Sequence, residues 1–295
     1  MDYPQNPYIR TDLAAELTSS PAKPESVSFR ETSEAGITIT RVIITDDKGS
    51  RAVGKPKGTY LTLQIGRIWT EEQEFFATAE RILADKIRSI IHSCTPRTDC
   101  ILVAGLGNSY ITSDSLGPAV LKHLTVTRHI RALDSALFTR LGTAEIAAIA
   151  PGVAGQTGIE TLELIRGAVE TVHPSVLIVV DALASRSPDR LCATVQLSDS
   201  GLEPGSGIGN RRKAINRDTV GVPVIAIGVP TVVSSSTLVY DALEKAGIEA
   251  VSPALSDVLE NGKSFFVSLK ECDTAVAELA RLIGCALNRA FEKSE

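Results

Sequence analysis

Two aspartates stand where a carboxylate can do chemistry. Asp114 follows an apolar run, Ile101-Leu102-Val103-Ala104, and a turn made with Gly105, Gly107 and Asn108, residues that tolerate positive φ. Ser115 and a helical pattern through Leu116, Val120, Leu121 and Leu124 come next. Asp181 ends a second continuous apolar run, Val176-Leu177-Ile178-Val179-Val180, the mark of a strand buried on both faces. Taken singly, Asp114 also reads as a helix N-cap and Asp181 as a structural hydrogen-bond acceptor at a strand end. As a pair they belong at the carboxyl-end edge of one open α/β sheet, where ligands gather. Two carboxylates brought close cannot easily both ionise, so they share a proton. Such a pair can take a proton from water and give one to a leaving amine, which is metal-free peptide hydrolysis.

Other chemistries lack their residues. Gly105-Leu106-Gly107 follows a strand, but the third glycine of a dinucleotide fingerprint would fall at Tyr110. Gly262-Lys263-Ser264 ends like a P-loop, but Asp257 stands where the first glycine belongs. There is no GxSxG elbow, and no serine or cysteine is paired by sequence with a well-placed histidine. The four histidines form no HExxH or other zinc spacing, and the five cysteines contain no CxxC pair. Neither a metal nor a cofactor is expected, and the thiols read as reduced packing groups. Cys192, inside an expected strand, is one of them. Gly205-Ser206-Gly207-Ile208-Gly209 is either an anion-binding nest or a flexible or tightly packed loop.

The elements that must position these groups follow in order. Residues 1–26 form a polar, proline-dotted leader containing Thr11-Asp12-Leu13-Ala14-Ala15-Glu16, which on local rules is the first turn of a short helix. Residues 27–295 read as one α/β domain, β-rich over 27–70 and α/β over 71–295. Ile37, Ile39, Val42 and Ile44, and then Tyr60 to Ile65, carry strand periodicity, with Asp46-Asp47-Lys48-Gly49 as a turn between them. A helix is predicted over 71–93, with Phe75, Ala79, Ile82, Leu83, Ile87, Ile90 and Ile91 on one stripe. Strands are predicted over 146–150, 176–180, 193–197, 222–229 (ended by Pro230-Thr231) and 265–267. Helices are predicted over 159–172, 234–247 and 271–291. The fold class is α/β: a central mixed, mostly parallel sheet flanked by helices, with a small N-terminal β-rich extension. The net charge of −5 argues against a surface that grips nucleic acid, and no apolar run approaches a membrane span. The N-terminus lacks the basic start and apolar core of a secretory signal.

These residues, with others, resemble a known family: the germination protease of spore-forming bacteria, aspartic peptidase family A25. The matching stretches are Arg10 to Ala14, Gly105 to Asn108 with Asp114 to Pro118, Thr127 to His129, Pro151 to Thr161, Val180 to Arg186, Gln196 to Asn210 and Val222 to Val233. The resemblance implies an endopeptidase that initiates degradation of small acid-soluble spore proteins during germination, in the cytoplasm of the forespore or spore core. It implies a fold like that of the hydrogenase-maturation (phosphorylase/hydrolase-like) endopeptidases, and a catalytic pair on Asp114 and Asp181. It also implies a zymogen cut near Asp12-Leu13, where the leader is similar to the target motif and so mimics the substrate, and a homotetramer. The spore proteins are the expected partner, with no direct nucleic-acid or membrane contact. Cutting beside an acidic residue needs a cation, for which Arg211 and Arg212 are the candidates, although a solvated basic turn is an equal reading. This chain departs from the family pattern in four places. Ser113 stands for a proline, and Ser234-Ser235 for Asp-Ala. The 240–265 region is shortened, and Phe266 to Glu271 replaces a Val-Thr-Pro-Lys-Glu pattern. Two other readings remain: a catalytically silent paralogue that binds spore proteins, and a metal-assisted endopeptidase of the same fold.

Overall fold

Among the described residues nine strands join in one sheet, and the order of those strands sets where the two aspartates lie. A computed structural model of the chain describes residues 9–17, 24–209, 212–248, 252–261 and 265–292. The strands are β1 (Val27–Glu34), β2 (Ile37–Ile44), β3 (Gly58–Gln64), β4 (Cys100–Gly105), β5 (Glu145–Ile149), β6 (Val176–Ala184), β7 (Thr194–Ser198), β8 (Val224–Ser234) and β9 (Phe266–Val267). Their order is β1-β2-β3-β7-β8-β6-β4-β5, with β9 set against β8. The sheet is mixed. β8, β6, β4 and β5 run parallel, whereas β7 is antiparallel to both β8 and β3 and ties in the β1–β3 meander. The β-rich part is thus continuous with the parallel part. Its first hairpin closes on Ala35 and Gly36, both at positive φ, as a two-residue turn with the right twist demands.

Helices cover both faces. Helices Gln73–Cys94 and Cys272–Phe291 and the first turns of Leu116–Leu121 bury Ile82, Leu83, Ile87, Ile91, Leu279 and Ile283 on one face. Each such side chain contributes roughly 1.5–3 kcal/mol by leaving water. Helix Thr161–Val172 covers the other face through Leu162, Ile165 and Val169. The expected stripe of the long helix shifts by one residue at its start. Phe76, not Phe75, is fully buried, and the Arg281 guanidinium lies 3.7 Å from its ring centre. Among the described residues no helix is long and apolar enough to cross a membrane.

Several expected boundaries are corrected, each for a reason beyond its own segment. Asp46-Asp47-Lys48-Gly49 is not a bare turn. The Asp46 carboxylate accepts the Gly49 N–H at 2.7 Å and caps the helix Asp47–Val53. β6 does not stop at Asp181 but runs to Ala184, because Ala184 finds partners on both sides: Val232 of β8, and the backbone of Asp12. β8 does not stop before Pro230; it passes through it to Ser234. Pro230 lies opposite Leu183, next to an irregularity in the ladder, where a missing N–H costs little. Cys192 precedes β7 rather than lying in it. It is buried at positive φ, in the same core cluster as Cys272.

Candidate active site

β4 ends at Gly105 beside Val180 of β6, and Leu106 N–H continues the ladder by donating to Val180 O at 2.8 Å. The chain then turns through Gly107, whose φ of +107° is open only to glycine, and a Cβ there would sit 2.0 Å from the carbonyl of Asp114. The loop can therefore fold back on itself and return Asp114 to the sheet edge. Asp114 lies in a 3₁₀ turn, Thr112–Asp114, and makes no N-cap bond. Its Oδ2 instead accepts the Asn108 N–H at 2.8 Å. Asn108 is itself held by the Gln156 amide, which donates to its Oδ1 at 2.7 Å. From the other side, the buried Thr231 hydroxyl of β8 donates to Ser113 O at 2.6 Å and fixes the loop next to the aspartate.

Asp181 sits on β6 between β4 and β8 and is 5% exposed. Its Oδ1 accepts the N–H of Ala182 at 2.9 Å. Burial holds its proton well above the ordinary carboxylate range, the nearby negative charge of Asp114 adds to this, and Asp12 adds a little more. Asp114 is also raised, by burial, with the Asn108 N–H opposing. The two carboxyls are walls of one cavity of about 350 Å³, together with Gly107, Ser113, Leu183 and Thr231. Both carboxyls are therefore biased toward the protonated form and line the same cavity.

Asp12 is a wall of the same cavity. The leader lies in the cleft beside the two aspartates. Asp12 N–H donates to Ala184 O and the Ala184 N–H to Asp12 Oδ2, both at 2.9 Å, so the leader extends the edge of β6. The Gln196 amide bridges the next peptide, donating to Asp12 O at 3.1 Å and accepting the Ala14 N–H at 2.8 Å. Leu13 and Ala14 are fully buried, and Ala14–Leu17 is a single helical turn. The helix reading and the cleft-occupying reading of this stretch thus describe the same residues. On its far side the leader borders a second cavity, of about 620 Å³, walled by Arg10, Lys55, Tyr60 and Gln196.

The acidic side chain of the leader is met by residues that local sequence does not single out. The Ser206 hydroxyl donates to Asp12 Oδ1 at 2.6 Å, and Lys55 Nζ lies 3.7 Å from the same oxygen. Gly207 must be glycine for this approach, since a Cβ would fall 2.2 Å from Asp12 Oδ2. The glycine loop is therefore both packed and anion-facing, and its anion is a carboxylate of the same chain. Arg212 lines the dyad cavity but pairs with Glu160 at 3.3 Å. Arg211 lies outside the described residues. Lys55 comes from a turn after a short helix, and only the glycine loop carried a signal, its capacity to nest an anion. Ser234, where the resembled family carries aspartate, is buried, and its hydroxyl has no hydrogen-bond partner among the described residues; it is not a wall of the dyad cavity. Among the described residues no group of three or more His, Cys, Asp or Glu side chains could hold a metal ion.

Comparison with known proteins finds relatives of the chain. A family model described as germination protease, Peptidase A25, matches residues 10–246. A germination protease from Caldanaerobacter subterraneus subsp. tengcongensis is 43% identical, over 96% of this chain and 94% of its own length. Germination proteases from Bacillus cereus and Priestia megaterium are each 42% identical, over 80% of this chain and 66% of theirs. A solved NiFe hydrogenase maturation protease from Thermococcus kodakarensis overlaps 48% of this chain and 80% of its own, at 15% identity and a TM-score of 0.33, too little to build on.

Proposed function

The chain belongs to the germination protease family, and we propose that it is an endopeptidase that cuts small acid-soluble spore proteins with water activated between Asp114 and Asp181. Asp181, the more deeply buried, holds the shared proton, and Asp114, steadied by the Asn108 N–H, is the base. Asp114 takes a proton from water while the water oxygen bonds to the peptide carbonyl carbon. Asp181 gives its proton to the carbonyl oxygen. When the carbon–nitrogen bond breaks, the nitrogen leaves with the proton that Asp114 had taken, and the carbonyl reforms by returning a proton to Asp181. No group outside the pair is needed for the balance.

One observation supports this reading most directly: Asp12 of the chain's own leader lines the cavity of the two aspartates, and its carbonyl is held by the Gln196 amide. The leader is then a substrate in waiting, and the intact chain a zymogen. Intact mass, measured before and after incubation at mildly acidic pH, tests it. The expected result is loss of residues 1–12 and a new N-terminus at Leu13. A chain that cuts a spore protein yet keeps its own leader would separate the activity from the self-processing and sink the latter.

Thr231 positions rather than reacts. Thr231→Val keeps the shape of the buried side chain but removes the bond to Ser113 O. It is expected to fold normally and lower kcat by about tenfold, roughly the value of one lost hydrogen bond, with KM little changed. A KM effect in place of a kcat effect would place Thr231 in substrate binding instead.

A further inference from the structure

Resting on the reading of Asp114 as the base, we propose that Gln156 is a positioning residue for it, clasping the loop after β5 to the loop after β4 so that Asn108 keeps its N–H on the Asp114 carboxylate. β4 and β5 run side by side, with Ala104 opposite Ile149, so the loops that leave their carboxyl ends emerge as neighbours. The first loop returns Asp114 to the sheet edge. The second lies within the stretch Pro151 to Thr161, whose residues take no part in the proton transfers. Gly152, Val153 and Ala154 of that loop are walls of the dyad cavity. Gln156 is exposed and is not one of them. Its amide joins the two loops instead. Nε2 donates to Asn108 Oδ1 at 2.7 Å, and Oε1 accepts the Val153 N–H at a longer 3.5 Å. Gly152, at φ +68°, leaves room for the amide, since a Cβ there would stand 3.1 Å from Gln156 Oε1.

The clasp reaches Asp114 through one residue. Asn108 Oδ1 accepts two donors, the Gln156 amide from the neighbouring loop and the Tyr110 N–H from its own. With its side chain tied at that oxygen, Asn108 delivers its own N–H to Asp114 Oδ2 at 2.8 Å. An N–H held on a carboxylate favours the charged form, and here it opposes the burial that favours the neutral one. The ionisable groups that wall the cavity around Asp114 are Asp181 on β6, Asp12 in the leader, and Glu203 and Arg212. Neither Asn108 nor Gln156 carries a charge, so the clasp works by placing a hydrogen-bond donor. When it opens, the donor is no longer fixed, Asp114 keeps its proton to higher pH, and a smaller fraction of the chain holds a base ready for water. Gln156 is not a wall of the cavity, so its loss falls on kcat and on the acid limb of the pH profile rather than on KM.

The test measures kcat and KM for cleavage of a small acid-soluble spore protein across pH. It compares the parent chain with Gln156→Ala, Gln156→Glu, Asn108→Ala, the double alanine variant and Asp114→Asn. Gln156→Ala is expected to lower kcat roughly three- to tenfold, the worth of one hydrogen bond, with KM little changed. The acid limb of kcat/KM should move up by about half a pH unit, which a merely structural role would not do. Gln156→Glu keeps the length and an acceptor for the Val153 N–H, but its carboxylate has no proton to donate to Asn108, so it should lose at least as much as alanine. Asn108→Ala retains the backbone N–H, and Asn108 does not sit at positive φ, so alanine fits there and should give the same shift. The double variant should be no worse than either single one, because both act through one bond. If one alanine variant fails to fold, the other and Gln156→Glu carry the test. An acid limb that stays in place, a loss confined to KM, Gln156→Glu at the parent rate, or additive losses in the double variant overturns the proposal. With Asp114→Asn slowed as expected, any of these leaves the dyad standing. Asp114→Asn at the parent rate removes the dyad, and the role of the clasp with it.

Discussion

Asp181→Asn and Asp114→Asn are each expected to slow cleavage of a spore protein by roughly 10²–10⁴-fold, the range of a lost general acid or base. The two variants fail for different reasons. Asparagine at 181 keeps an acceptor for the Ala182 N–H but has no proton to give. At 114 it keeps an acceptor for the Asn108 N–H but cannot take a proton from water. The double variant should be no worse than either single one, because the pair acts as a unit and half of it does nothing. The same assignment fixes the pH dependence of the parent chain. Rate rises as pH increases through ionisation of Asp114, and falls as Asp181 loses the proton that burial and the Asp114 charge hold well above the ordinary range. Measurement of kcat/KM across pH with a fixed peptide checks this. A single variant that keeps wild-type rate ends the dyad mechanism.

What the sequence disclosed of this site, and what it hid, divides by distance along the chain. Asp114 and Asp181 were legible because each closes a local pattern, an apolar strand followed by a turn or a stop, and parallel strands put such ends on one edge. The family stretches made the leader's similarity to a cleavage motif legible too. Ser206 lies in the glycine loop that reads as a possible anion nest, whereas Lys55, Thr231 and Gln196 carry no local mark of a site. Lys55 follows a helix that the sequence showed only as Asp46-Asp47-Lys48-Gly49 turn chemistry, and its meeting with Asp12 spans the β1–β3 meander. Thr231 reads locally as the end of a strand, because proline before it is a local stop signal, and the strand continues through its pairing with β6 and β9. Likewise β6 gained Ala182 to Ala184 from partners in β8 and the leader that no window around Asp181 contains. Local periodicity reports which face a residue turns inward. It does not report which residue from elsewhere will be waiting there.

Asp181→Asn should also make the protein more stable at neutral pH, the opposite sign to its effect on rate. In the unfolded chain an aspartate titrates near its ordinary value of 3.8; in the folded one the buried Asp181 holds its proton well above that. A carboxyl whose folded value is raised contributes its full share below the unfolded value. That share is lost as pH rises from there toward the folded value, because the unfolded state ionises first and gains water that the folded state denies. Asparagine does not ionise and escapes the loss, while it keeps the volume and the bond to Ala182. The expected rise in Tm is roughly 2–4 °C per kcal/mol recovered. It should be present at pH 7 and vanish below about pH 3.8, where wild type is protonated in both states. Asp114→Asn should give part of the same gain, since it removes the neighbouring charge that helps hold the Asp181 proton. Thermal melts of the three chains across pH decide the matter. A variant at position 181 that is less stable than wild type at pH 7 would mean the folded protein accommodates the ionised carboxylate. The pair would then have no shared proton with which to begin the reaction.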